Sequence, residues 1–352
     1  MNPSEAMDDF VGIYEKLAVI IHYPIHALRS RDNGKTREIK NSTECEEFIM
    51  ISAIQEKIMQ LKKEKDIAIL AHSYQSPDIL EIADLKGDSF KLSADASKLS
   101  QKTLLLCGVR FMAETVKTLS PEKTVILPVE NATCPMAEMI RPQDVVSYKQ
   151  EHPDCKVVAY VNTTTQLKAV SDVCVTSSSA VQIVGRMPEQ EILFIPDKNL
   201  GSFVREKCPD KNIITWDGCC PVHDQVTEQD VLEMKRRYPG YKLLVHPECK
   251  PEVAKHADYA GSTAGILSYA RGCQENILVG TEKSIADSLA LEFPERQFIP
   301  LSKRLMCHDM RITNLVDVYR AMQGLCGCKI EIEEETRLKA KHAIDEMIRL
   351  GQ

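Results

Sequence analysis

The chain has 352 residues, 43% of them hydrophobic, and a formal net charge of −7. That length suits two or three domains with ordinary soluble cores, and the acidic balance leaves no basic footprint for nucleic acid. No apolar run is long enough to span a membrane. The start MNPSEAMDDF lacks the basic region of a secretory signal, so the 13 cysteines are expected as thiols in a reducing cytoplasm rather than as a disulfide framework.

Residues 1–45 stand apart, with RSRDNGKTREIKNST read as an exposed loop or linker, and a helix over roughly 45–63 leads into the first strand. The run DIAILAHSYQ then closes on the polar pair His72 and Tyr74. A small-residue turn, GDS, follows with Ser89, and then the apolar run TLLLCG, the helical pattern RFMAETVKTL, and TVILPVENATC ending at Cys134. The same order recurs after the helical DVVSYKQEHP: CKVVAYVNTT with Tyr160 and Asn162, TSSSA with Ser177, EILFIP, the helical NLGSFVREK, and NIITWDGCC ending at Cys220. It recurs again after DVLEMKRRYP: YKLLVHPECK with His246 and Glu248, GST with Ser262 and Thr263, NILVGT, the helical EKSIADSLALEF, and QFIPLSKRLMC ending at Cys307. A helix (NLVDVYRAMQG), a short strand (CKIEIEE) and a closing helix complete the chain.

The spacing is regular. Ser89, Ser177 and Thr263 each follow the first polar residue of their unit by 17 positions, and the three cysteines are 86 and 87 residues apart. A period near 87 residues is too long for a solenoid repeat and suits a small domain used three times. Continuous apolar runs alternating with amphipathic helices predict parallel strands buried on both faces, joined by helical crossovers. The expected fold is α/β: three pseudo-threefold-related α/β/α domains with parallel sheets around a central active site. The units run over 46–133, 134–219 and 220–306, with an N-terminal extension at 1–45 and a C-terminal segment at 307–352 closing the fold. Ligands of such sheets bind beyond the carboxyl ends of the strands, where the polar pairs and the cysteines would lie.

One thiolate from each of three equivalent units is a way to hold a metal cluster and leave one metal corner free. The alternatives are three buried apolar cysteines or a zinc site, although structural zinc favours four ligands, often in C-x-x-C pairs. Cys219 and Cys220 are equally good by spacing. Cys326 and Cys328 form a C-x-C with no assigned role. The hydroxyl turns suit helix capping, and equally anion binding at helix N-termini. Glu248, the carboxylate among the six polar-pair residues, is placed to act as a general base.

With these residues in place the chain resembles the quinolinate synthase family. The match runs from about residue 50 to beyond 315 and includes HSYQ, GDS, GVRFMAETVKTLSPEKTVILP, ATCPMAEM, AYVNTT, VTSSSA, PDKNLG, WDGCCPVHD, VHPEC, GSTAG and CHDM. The resemblance implies a [4Fe-4S] cluster held by Cys134, Cys220 and Cys307 with one open iron site, and it selects Cys220 over Cys219. It implies condensation of iminoaspartate with dihydroxyacetone phosphate to quinolinate, releasing phosphate and two waters, in de novo NAD biosynthesis. It places His72, Ser89, Tyr160, Asn162, Ser177, His246, Glu248, Ser262 and Thr263 at the substrate, with Tyr74, Glu248 and Tyr160 as candidates for catalysis and His223 near the cluster. L-Aspartate oxidase or dehydrogenase is expected as a transient partner supplying the imine. Three positions depart from the family pattern. Leu301 and Arg304 stand where one branch has the earlier cysteines of a C-x-x-C-x-x-C run, and Arg311 stands where lysine is common. Two other readings belong to different classes: a hydro-lyase using a three-cysteine cluster on another hydroxy acid, and a non-enzymatic iron–sulfur carrier, which would have no need of the strand-end His, Tyr, Asn and Glu set.

Overall fold

The computed structural model describes residues 29–32, 35–38 and 42–352, with side chains from residue 50 onward. The chain divides into two compact units, Met1–Glu56 and Lys57–Gln352. In the first, β1 (Arg29–Asp32) pairs antiparallel with β2 (Lys35–Glu38). This segment was expected as a loop. The sequence between the strands is Asn-Gly, the strongest short-range hairpin signal, and its polar flanks masked the pairing. The rest of the expected N-terminal extension lies outside the described residues. The helix Ser42–Lys65 spans the stretch expected at 45–63.

The second unit holds three sheets built to one plan. The first contains β3 (Ile67–His72), β4 (Leu85–Gly87), β5 (Thr103–Cys107) and β6 (Thr124–Leu127). The second contains β7 (Lys156–Tyr160), β8 (Val173–Val175), β9 (Glu191–Ile195) and β10 (Asn212–Thr215). The third contains β11 (Lys242–Val245), β12 (Tyr259–Ala260), β13 (Ile277–Gly280) and β14 (Phe298–Pro300). Their spatial orders are β6-β5-β3-β4, β10-β9-β7-β8 and β14-β13-β11-β12, so the fourth, third, first and second strands follow one another in every case. All of these pairings are parallel. Parallel strands need crossovers that cover both faces. Accordingly β3 is buried along its whole length, and β5, β7 and β9 are buried at all but their first residues.

The amphipathic patterns fold as read. Arg110–Leu119, Lys198–Lys207 and Ser284–Glu292 are helices between the third and fourth strands of successive sheets. Pro142–Glu151 and Glu228–Arg237 precede the second and third sheets. The C-terminal segment returns to the earlier units. The expected strand in CKIEIEE shortens to β15 (Cys328–Lys329), which adds antiparallel to β6. The helix Glu334–Gly351 buries Ala343, Ile344 and Met347 in the core of the second sheet, and its Arg337 donates to the carbonyl of Thr118 at 3.1 Å. Among the described residues, no helix is long and apolar enough to cross a membrane, and the cysteines from Cys107 onward are free thiols.

Candidate active site

The repeated plan puts chemically equivalent residues at equivalent places. His72 ends β3, Tyr160 ends β7 and His246 follows β11 by one residue. Each cysteine follows the fourth strand of its sheet and begins a short helical turn: Pro135–Glu138, Pro221–Asp224 and His308–Arg311. These positions meet at a cavity of about 920 Å³ of open space. The first sheet and the turn after its last strand contribute His72, Tyr74, Ser89 and Cys134 to its lining; the second sheet and its turn contribute Tyr160, Asn162, Ser177 and Cys220. The third contributes His246, Glu248, Ser262, Thr263 and Cys307.

The hydroxyl turns divide their labour. Asp88, not Ser89, caps the helix Ser89–Ala96 by accepting from the Lys91 backbone N–H. Ser262 caps Thr263–Gly272 by accepting from Gly265 N–H at 3.1 Å. In the second unit, the Ser179 hydroxyl accepts from the Thr176 N–H. The neighbouring hydroxyls of Ser89, Ser177 and Thr263 are thereby left to the cavity. Ser177 Oγ lies 3.3 Å from His246 Nε2, and Thr263 Oγ1 lies 3.0 Å from the Tyr74 hydroxyl.

The two strand-end histidines share one tautomer. His72 Nδ1 accepts from the Tyr74 N–H at 3.1 Å, and His246 Nδ1 accepts from the Glu248 N–H at 3.3 Å. The proton of each neutral ring therefore sits on Nε2 and is free to donate. Burial drives both imidazoles down to about 4 against the nearby carboxylates, Asp88 and Glu248 at His72 and Glu248 at His246, so both are neutral donors at physiological pH. An unfolded histidine protonates near 6.5, so the unfolded chain binds the extra protons between that value and about 4. The stability these rings contribute is complete above the upper value and declines as pH falls toward the lower one. The expected decline is on the order of 1 kcal/mol per pH unit per histidine inside that window. Thermal unfolding of the metal-free protein measures it. His72→Asn should flatten the slope, and a midpoint independent of pH across the window would contradict the assignment.

Glu248 anchors a chain of hydrogen bonds that crosses the units. His223 Nδ1 lies 2.8 Å from Glu248 Oε2, and His223 Nε2 lies 3.0 Å from Thr281 Oγ1. Thr281 Oγ1 lies 3.1 Å from the Tyr74 hydroxyl. Burial opposes ionisation of Glu248, yet the imidazoles of His246 and His223 and the hydrogen bonds from His223 and Tyr160 prevail, and the carboxyl titrates low, at about 2. An ionised Glu248 accepts from Nδ1–H of His223, which leaves Nε2 to accept from Thr281 and Thr281 to accept from Tyr74. The donors all point from Tyr74 toward Glu248. Burial and the Glu248 charge push the Tyr74 phenol far up, so it rests protonated. Tyr160 is also raised by burial and by Glu248, and Asn162 Nδ2 lies 3.5 Å from Glu248 Oε1. Asn199, from the PDKNLG motif, donates to the Glu248 carbonyl at 3.0 Å and to Asp224 at 2.9 Å. It thus ties Glu248 to the helix that Cys220 begins.

The sequence singled out His223 without a defined role and did not single out Thr281. Its signal was available: Thr281 closes the apolar run NILVGT, and a hydroxyl at the end of a buried strand faces the ligand side of such sheets.

Cys134, Cys220 and Cys307 are held alike. Each is the extended residue before its helical turn, and a backbone N–H three residues on, that of Ala137, His223 or Met310, favours its thiolate. Burial nevertheless pushes Cys134 up to about 12 and Cys307 up to about 11, and drives Cys220 well above its usual value with Glu248 and Cys134 adding to the cost. Three clustered thiols that cannot ionise alone, each met by a main-chain donor, fit a cationic metal group that binds them as thiolates. Cys220, His223 and Glu248 also have donor atoms within 4.8 Å of one another. A single ion there would compete with the His223–Glu248 hydrogen bond and use one thiol of the three. Among the described residues no lysine or arginine lines the cavity, whereas Asp88, Glu248, Glu282 and Asp309 do. Capture of an anionic ligand therefore falls to neutral donors: the histidine Nε2–H groups, the hydroxyls of Ser89, Ser177 and Thr263, and the helix starts behind them.

Fold and site together define a class: a three-sheet α/β protein whose cavity takes, for each sheet, one strand-end polar pair, one hydroxyl turn and one cysteine after the last strand. The chain belongs to the quinolinate synthetase A family, whose model, described as quinolinate synthetase A protein, matches residues 56–349. It is 44% identical over 300 residues to a quinolinate synthase of Clostridium perfringens strain SM101, covering 85% of this chain and 99% of the relative. It is 42% identical over 296 residues to the quinolinate synthase of Clostridioides difficile strain 630, covering 84% and 97% of the two chains. With the quinolinate synthase of Clostridium acetobutylicum the identity is 44% over 301 residues, covering 85% and 99%.

Proposed function

We propose that this protein is a quinolinate synthase, a transferase of NAD biosynthesis that condenses iminoaspartate with dihydroxyacetone phosphate to give quinolinate, phosphate and two waters. Family membership supports the reaction. The observation that carries it to this chain is the cavity itself, where three cysteines, three turn hydroxyls and the Tyr74–Glu248 chain converge. The two substrates together bring two carboxylates and one phosphate, and three hydroxyl turns stand at three helix starts to receive them.

We assign a [4Fe-4S] cluster to Cys134, Cys220 and Cys307, with one iron lacking a protein ligand. When bound, such a cluster supplies an exchangeable Lewis-acidic site that polarises a hydroxyl or carbonyl. The chain's own residues do the rest. His72 and His246 donate from Nε2 to substrate oxygens, with Ser89, Ser177 and Thr263 completing the anion contacts. Tyr74 takes a proton from the substrate as its own passes to Thr281. Thr281 passes one to His223 Nε2, and Nδ1 of His223 delivers one to Glu248. Glu248, with Asn162 beside its other oxygen and Tyr160 hydrogen-bonded to the carboxylate, returns the proton to a departing hydroxyl and so produces water. The near-complete burial of His72, Tyr160, His223, His246 and Glu248 keeps bulk water from competing for these protons.

The test is product formation. Cluster-replete protein should release phosphate with iminoaspartate and dihydroxyacetone phosphate together and with neither alone. Absence of turnover in protein carrying the full cluster would favour the reading as a different [4Fe-4S] hydro-lyase.

A further inference from the structure

One ion pair at the cavity wall, between Glu282 and the partly exposed Arg311, has no part in these steps. Glu282 follows β13 by two residues and is fully buried. Its Oε1 accepts from the backbone N–H of Cys307 at 3.4 Å and from Nε of Arg311 at 3.2 Å. Its Oε2 accepts from the backbone N–H of Ser284 at 2.7 Å. The Ser284 hydroxyl donates to the Tyr74 carbonyl at 3.0 Å and accepts from Nη2 of Arg311. Between Glu282 and Ser284, the Lys283 N–H donates to the Leu305 carbonyl at 2.8 Å. Glu282 and Arg311, the latter also 4.0 Å from Asp287, thus hold residues 282–284 and the approach to Cys307 and, through the Ser284 hydroxyl, the backbone of Tyr74.

These are main-chain anchors, so what they determine is position. We propose that Glu282 and Arg311 are a positioning pair that fixes Cys307 and Tyr74 relative to each other, keeping the third thiol in register with the entry point of the proton chain. The proposal rests on the reading of Cys307 as a cluster ligand and Tyr74 as the proton acceptor. Arginine suits the task because its fork reaches Glu282 and the Ser284 hydroxyl at once. Lysine, a point charge on a flexible stem, can satisfy Glu282 and only partly hold Ser284.

The experiment compares the reconstituted holoprotein with Arg311→Lys, Arg311→Met and the double variant Glu282→Met with Arg311→Met. It reads the half-life of the cluster's visible absorbance in the presence of a chelator, together with kcat and KM. Arg311→Met should shorten the half-life and lower kcat by about tenfold or more, with KM little changed, because groups that orient metal ligands typically contribute 10- to 100-fold. Arg311→Lys should recover most of both. The double variant removes the uncompensated buried charge and should regain thermal stability, yet stay as defective as Arg311→Met in half-life and kcat. Recovery of both by the double variant would show that the pair matters through charge burial and would overturn the proposal, as would wild-type behaviour of Arg311→Met. A wild-type protein that takes up no cluster would overturn the proposed function itself, and this inference with it.

Discussion

Cys220→Ser should leave the reconstituted protein with far less than the about four irons per chain of a complete cubane, whereas Cys219→Ser should keep them. The two cysteines are adjacent, and the structure treats them differently. Cys220 lines the cavity, begins the turn Pro221–Asp224 and has His223 Nδ1 3.3 Å from its sulfur. Cys219 does not line it; its backbone N–H instead approaches the Met139 sulfur at 3.4 Å. The loop is held from both sides. Lys198 donates its N–H to the Gly218 carbonyl at 2.8 Å, and a Cβ at Gly218 would come within 2.5 Å of the Pro196 carbonyl oxygen. Iron and sulfide analysis with electron paramagnetic resonance of the reduced protein distinguishes the two variants. Loss of iron in Cys219→Ser with retention in Cys220→Ser would reverse the ligand assignment.

Glu248→Gln should lower kcat by about 10²–10⁴-fold, the range for a positioned acid or base, while the cluster remains. Glutamine preserves the size of the side chain, and its amide oxygen still accepts from Nδ1–H of His223. The chain through Thr281 to Tyr74 would therefore persist and lose its terminal acceptor. The wild-type carboxyl titrates low, at about 2, because His246, His223 and the hydrogen bonds at it outweigh its burial. It is thus ionised and ready to accept across the neutral range. KM should change by no more than about threefold, since anion capture rests on the histidines and hydroxyls, and an effect confined to kcat marks an interaction made in the transition state. A variant with unchanged kcat would remove Glu248 from proton transfer. A variant that loses its cluster would instead show a structural role beside Cys220.

The strands, helices and three-part plan were legible because their signals are local. DIAILAHSYQ, CKVVAYVNTT and YKLLVHPECK each show a buried parallel strand closed by polar residues, and they became β3, β7 and β11 with the polar pairs at the cavity. The strand order was not legible. The placement of β5 between β3 and β6, and of its counterparts in the other sheets, comes from tertiary pairing that no single run encodes. Thr281 and Glu282 escaped, and Arg311 was noted without a role, for a related reason: their partners lie in other segments of the chain. Glu282 reads in sequence as an ordinary acid after a strand, yet it is fully buried and meets Cys307 and Arg311 across about 25 to 29 positions. His223 was seen as a neighbour of Cys220. Its contact with Glu248, which turns two isolated candidates into one proton path, depends on how the turn after the second sheet meets the third sheet.

The reaction itself is tested most directly by carbon flow. Anaerobically reconstituted protein supplied with iminoaspartate and carbon-13-labelled dihydroxyacetone phosphate should yield quinolinate whose pyridine ring carries all three labelled carbons, with one phosphate released per ring. Cluster-replete protein that consumes both compounds without forming the labelled ring, or that forms no product at all, would contradict the account.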